Sequence, residues 1–99
     1  MQVETVTTIE QKLSELKSQL HEDFNVSNIG YFGSFARNEP SSDSDIDILV
    51  EFYKPLGWEF FDLKDFLEAQ LGRKVDLVSK SALKRQLREK ILKEVKYID

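Results

Sequence analysis

The stretch Gly33-Ser34-Phe35-Ala36-Arg37-Asn38-Glu39-Pro40-Ser41-Ser42-Asp43-Ser44-Asp45-Ile46-Asp47 opens on a Gly-Ser pair and closes, after a ten-residue spacer, on two aspartates. These lead directly into Ile48-Leu49-Val50, an apolar run of strand character. Residues two apart in a strand point to the same face, so Asp45 and Asp47 present their carboxylates side by side. Acidic residues are depleted from strands, so two of them at a strand entrance ask for a reason. Carboxylates held so close repel one another unless a cation lies between them. A hard divalent ion such as Mg²⁺ takes one or two carboxylates together with the phosphate oxygens of a substrate. Upstream, Gly33 and Ser34 stand where a strand gives way to a turn. There the backbone can come close to phosphate, and its N–H groups can line an anion site.

The Gly-Ser pair, the ten-residue spacer and Asp45-Ile46-Asp47 together resemble the signature of the polymerase-β-like nucleotidyltransferases. The chain is most similar to their minimal nucleotidyltransferase (MNT) branch, because it is little more than a catalytic core. The resemblance runs from about Ile29 to Val78 and takes in the helical C-terminus through Tyr97. It implies an α/β (α+β) core in which a small mixed sheet is flanked by helices. It further implies that Asp45, Asp47 and a third acid, Asp76, are catalytic and hold Mg²⁺, with two ions engaged, while ATP is the substrate. Asp76 interrupts Val75-Asp76-Leu77-Val78 and faces away from Val75 and Leu77, as a third carboxylate on a neighbouring strand would. Its implied role is to help hold the metal that activates the acceptor hydroxyl, and to help deprotonate that hydroxyl.

Gly33, Ser34 and Arg37 are the nucleotide-binding candidates. The Ser34 hydroxyl is read as a phosphate ligand and not as a nucleophile. Arg37 follows Ser34 by three residues, where many members of the branch carry arginine; it suits either a forked contact to triphosphate oxygens or a pair with a loop acid such as Glu39. Asn38 stands where the branch usually has glycine, and asparagine tolerates the left-handed backbone nearly as well. Asp43 falls outside the spacing and is read as a solvated loop residue.

With 99 residues the chain has room for a single domain, residues 1–99, and one modest core. The expectation is therefore a chain without the added substrate domain that transfer to a small molecule usually needs. The net charge of −4 gives no support to nucleic acid as a partner. With no cysteine, disulfides and thiolate metal sites are excluded. Met1-Gln2-Val3-Glu4-Thr5 lacks the character of a signal peptide, and no apolar run approaches membrane-spanning length, so the expectation is a cytoplasmic protein without a membrane partner.

Apolar residues Ile9, Leu13, Leu16 and Leu20 form a stripe that predicts a helix from about Thr8 to Glu22, capped by Thr7 or Thr8. Strands are predicted over Val26–Phe32, Asp45–Phe52 and Val75–Ser79, with a short helical turn over Phe35–Asn38 and a polar loop from Glu39 to Ser44. In the second strand, Ile46, Ile48, Val50 and Phe52 make the inner face, and Asp45, Asp47, Leu49 and Glu51 a partly polar outer one. A second helix spans Trp58–Leu71 with Phe61, Leu63, Phe66, Leu67 and Leu71 on a broad apolar surface and Gly72 as its cap. A last helix starts at a Ser81 cap and carries Leu83, Leu87, Ile91, Val95 and Ile98 on one side. Its charge is mostly basic, with only Glu89 and Glu94 as acids between Lys80 and Lys96, which reads as a solvated face or a partner surface. His21 has no catalytic partner in the pattern.

Minimal nucleotidyltransferases commonly accompany a small helical HEPN ribonuclease toxin, so the resemblance implies an antitoxin that adenylylates a tyrosine of that toxin. The alternative is a non-catalytic binding module that neutralises its partner by contact. Eleven aromatics, seven of them Phe, are many for so small a core, and predict either a homo-oligomer or a stable complex with a helical partner.

Overall fold

The computed structural model describes residues 6–39 and 45–98. Its elements are α1 (Val6–Phe24), β1 (Val26–Phe32), β2 (Ile46–Phe52), α2 (Glu59–Leu71), β3 (Val75–Ser79), a 3-10 turn (Lys80–Ala82), α3 (Arg85–Glu94) and β4 (Lys96–Tyr97). The four strands form one mixed sheet in the order β3-β2-β1-β4, with β2 and β3 parallel and the other pairs antiparallel. A parallel neighbour needs a crossover connection, and α2 supplies it between β2 and β3. This is the α+β arrangement expected from the resemblance. Pro40 to Ser44, most of the predicted polar loop and Asp43 with it, lie outside the described residues.

One face of the sheet carries the core. Ile9, Leu13 and Leu20 of α1 and Leu63, Leu67 and Leu71 of α2 are fully buried in one cluster with Ile46, Ile48 and Val50 of β2. The period of the helices and the alternation of β2 thus meet as the sequence predicts. In β1, Val26, Ile29 and Tyr31 all join that cluster although the first two are an odd number of residues apart. A register shift between Val26 and Asn28 resolves this: a bulge inserts one residue and returns the side chains to the same face. The Tyr31 hydroxyl, at the end of a fully buried side chain, donates to Glu10 Oε2 at 2.6 Å.

Several local expectations are corrected. Because α1 already includes Val6, Thr7 and Thr8 lie inside the helix and not at its N-cap position. Leu49, on the carboxylate face of β2, is fully buried and not part of a polar surface. Phe61 was expected on the apolar surface of α2, yet it is 58% exposed beside Trp58 at 84%. Ser81 does not cap α3: its hydroxyl hydrogen-bonds with that of Ser79 at 3.0 Å, and the helix begins only at Arg85 after extended Leu83 and Lys84.

The last helix also ends earlier than its apolar period suggests. After Glu94, Val95 is extended and Lys96–Tyr97 pairs with Gly30 and Tyr31 at the open edge of β1. Ile98 is buried there, its N–H donating to Ile29 O at 2.9 Å. Gly30 makes this docking possible, since a Cβ on it would lie 2.8 Å from Lys96 O and 2.9 Å from Val95 Cγ2. Val-Lys-Tyr-Ile is rich in strand formers, and a sheet edge that satisfies their backbone outcompetes another helical turn. Among the described residues, no helix is long and apolar enough to cross a membrane.

Candidate active site

Sheet register gathers the motif. Phe32, at the end of β1, pairs with Asp47 of β2, and Asp47 pairs with Asp76 of β3. The C-terminal end of β1 and the N-terminal ends of β2 and β3 therefore meet at one end of the sheet. Gly33, Ser34, Asp45, Asp47 and Asp76 come together there, from positions up to half the chain apart.

The Gly-Ser turn is built around the Asp47 carboxylate. Gly33 has φ +71°, and a Cβ in its place would collide with Asp47 Oδ2. Glycine is needed here on both counts, so the close approach that the sequence reading assigned to phosphate is in this structure an approach to a carboxylate. The chain then turns once in helical fashion, with Arg37 N–H donating to Gly33 O at 3.1 Å and Glu39 N–H to Ser34 O at 2.8 Å. Asn38 ends that turn at φ +58°, the left-handed conformation foreseen for it.

Asp45 is exposed and Asp47 half-buried, while Asp76 is exposed on the strand next to Asp47. Burial raises the Asp47 carboxyl from its ordinary 3.8 to about 6, and the nearby charges of Asp76, Asp45 and Glu94, with a hydrogen bond to Asp76, push the same way. Such a group is short of positive charge, and its donors are hard oxygens, so the residues fit Mg²⁺. Among the described residues no three acidic or histidine side chains form a ready-made metal cluster. An ion at this site would take one or two protein carboxylates and draw its remaining oxygens from water and substrate, the usual habit of Mg²⁺.

A cleft of about 530 Å³ lies over this end of the sheet, lined on one side by Gly33, Ser34, Arg37, Asp45 and Asp47. Its volume is in the range of small-ligand sites. Its other wall is α3, through Leu87, Lys90, Ile91 and Glu94. Asp76 is not part of this lining and stands beyond Asp47.

Sequence reasoning counted Lys90 and Glu94 only as charges on a helix. In the fold, Glu94 Oε1 accepts from Gly33 N–H and, at 2.9 Å, from Arg37 Nη1. Arg37 also lies 3.7 Å, through Nε, from Glu39 Oε2, so the pairing with Glu39 foreseen as one alternative is the weaker of two. The signal that could have found Glu94 is its place: an acid in the last turn of a helix opposes the helix dipole. His21 stacks on Tyr53 with ring centroids 4.7 Å apart, far from any catalytic arrangement in the pattern.

Comparison with known proteins agrees with this geometry. The family model for the nucleotidyltransferase domain matches residues 13–98. The chain is similar to protein adenylyltransferase MntA of Thermococcus cleftensis, at 46% identity over 95 residues, covering 95% of this chain and 96% of that protein. A solved structure assigned provisionally as a minimal nucleotidyltransferase superposes with a TM-score of 0.81 at 33% identity, covering 97% of this chain and 98% of the other. A chain of a toxin–antitoxin crystal structure determined with AMP-PNP gives a TM-score of 0.76 at 26% identity, covering 91% of this chain and 72% of the other. The chain belongs to the nucleotidyltransferase domain family, a family of enzymes, and within it to the minimal nucleotidyltransferase branch.

Proposed function

We propose that this protein is a Mg²⁺-dependent adenylyltransferase that moves AMP from ATP to a hydroxyl of a partner protein, a tyrosine of a HEPN-type ribonuclease toxin, and so acts as its antitoxin. The observation that carries the reading is the convergence of Gly33, Ser34, Asp45, Asp47 and Asp76 at one end of the sheet beside a cleft. The adenylyltransferase name of a 46% identical relative and a toxin–antitoxin structure with a bound ATP analogue support the acceptor class and the nucleotide.

Bound at Asp45 and Asp47, with Asp76 alongside, Mg²⁺ would supply positive charge where the triphosphate gathers negative charge. The residues do the rest. The Gly33-Ser34 turn and Arg37 hold and orient the triphosphate, the hydroxyl of Ser34 and the guanidinium donating to its oxygens. Asp76, exposed at the rim, accepts the proton of the acceptor hydroxyl as its oxygen attacks the α-phosphorus. The new phosphorus–oxygen bond forms as the bond to the β-phosphate bridge breaks, and pyrophosphate leaves. Among the described residues α3 forms the cleft wall beyond the motif, so the partner supplies much of the acceptor surface.

Incubated with Mg²⁺, its HEPN-type partner and ATP labelled at the α-phosphate, the protein should label the partner; γ-label should leave as pyrophosphate. It should neutralise the toxin at substoichiometric amounts, and Asp76→Asn should lose that ability while still binding nucleotide. A contact inhibitor works only near one-to-one. Full neutralisation by Asp76→Asn at equal stoichiometry, with no label transferred by the parent, would replace the enzyme by the binding module.

A further inference from the structure

We infer that Glu94 is a positioning residue for nucleotidyl transfer, fastening the Gly-Ser turn and Arg37 to the C-terminal helix in the arrangement that receives the triphosphate. The inference rests on the nucleotide site proposed above. Three observations carry it. First, one carboxylate oxygen accepts from both Gly33 N–H and Arg37 Nη1, so a single side chain ties the turn and the cation that follows it. Second, the Glu94 side chain is only 20% exposed whereas that of Arg37 is 50% exposed. A half-exposed arginine has many rotamers to lose on binding, and an anchored partner at one edge of its fork removes most of that loss beforehand. Glu94 engages Nη1 of a guanidinium that itself lines the cleft.

Third, Glu94 sits where local physics disfavours it. It is the last residue of α3, where the helix dipole favours cations, and it adds a further carboxylate near Asp45 and Asp47. Hydrogen bonds to a charged group are strong enough to offset that cost when the group is largely buried. The chain leaves the helix immediately afterwards, and pairing of Lys96–Tyr97 with β1 holds Glu94 over the turn. The edge strand β4 thereby connects the fold of the C-terminus to the reach of Arg37.

The test uses the full chain and two probes, MgATP and inorganic tripolyphosphate, with binding by calorimetry and transfer to the partner protein by label. Glu94→Ala should weaken both probes by the same factor, about tenfold, the worth of one charge-assisted hydrogen bond. The KM for ATP should rise more than kcat falls. Glu94→Gln, whose amide oxygen still accepts from Gly33 N–H, should recover part of the loss, and it carries the test alone if the alanine variant does not fold. In an Arg37→Ala background the change at Glu94 should cost markedly less, because the two act as a unit. Unchanged or tighter binding by Glu94→Gln would overturn the inference, making Glu94 a bystander or a competitor of phosphate. Equal costs with and without Arg37 would also overturn it. These failures differ from failure of the site itself, in which the parent binds neither probe and both readings fall.

Discussion

Gly33 faces the carboxylate of Asp47 so closely that even a methyl group on its Cα would overlap Oδ2, while its N–H is taken by Glu94. One residue of the turn thus separates an acid of β2 from the acid that ends α3. The site is organised around this glycine.

Gly33→Ala should therefore be costly twice. A left-handed φ of +71° strains any residue with a Cβ, and the new methyl group must displace Asp47. We expect a loss of about 1–3 kcal/mol in stability by denaturant unfolding. MgATP binding should fall further than stability alone explains, since Asp47 is moved. Wild-type unfolding and binding by the variant would show that the turn is not constrained by the carboxylate.

Asp47 makes stability depend on pH, with a sign opposite to that of a salt-bridged acid. Its folded value, about 6, lies above its unfolded value near 3.8. Between these the folded protein keeps a proton that the unfolded chain has lost, so unfolding free energy decreases as pH rises through that window. Above it the whole penalty remains. Asp47 is only half-buried, so solvent screening reduces the penalty to roughly 1 kcal/mol. Asp47→Asn should regain about that amount at neutral pH and flatten the slope between about pH 4 and 6 in thermal unfolding. A slope that steepens in the variant would refute the account.

Removing both leading carboxylates should separate folding from ligand binding. Asp45→Asn combined with Asp47→Asn keeps the shape of β2 and relieves repulsion, so the fold should persist and the Mg²⁺-dependent part of ATP binding should vanish in calorimetry. Binding of MgATP equal to that of the parent would show that the ion is held elsewhere.

Trp58, 84% exposed, and Phe61, 58% exposed, lie with ring centroids 6.0 Å apart at the start of α2. An exposed aromatic pair contributes little to folding and much to association. Trp58→Ser should leave stability within about 0.5 kcal/mol, while weakening self-association or the complex with the proposed HEPN-type partner. Sedimentation of the protein alone and with the partner measures both. Unaltered association would place the contact surface elsewhere.

The core offers a control. Leu67 is fully buried between α2 and the sheet, and Leu67→Ala should cost about 2–5 kcal/mol without selective loss of nucleotide affinity in the remaining folded fraction.

Much of this protein was determined by local sequence. β1 and β3 have the bounds that alternation and turn residues predict, and of the stripe Ile9, Leu13, Leu16 and Leu20 all but Leu16 are fully buried, Leu16 packing partly buried against the core. Asp45 and Asp47 could be assigned to one face because a strand repeats every two residues, and Gly33-Ser34 could be placed beside them because the spacing matched a known signature. Periodicity, however, reports which side chains share a face and not what that face meets. Nothing near Phe61 told that it would stand outside the core while Leu49 was covered. The bulge in β1 left no mark beyond an odd spacing of apolar residues. Strand β4, only two residues long, has no period of its own and exists because the open edge of β1 offers hydrogen bonds. Glu94 reaches Gly33 across 61 positions of sequence, and only the folding of α3 and β4 onto that edge brings its carboxylate to the turn.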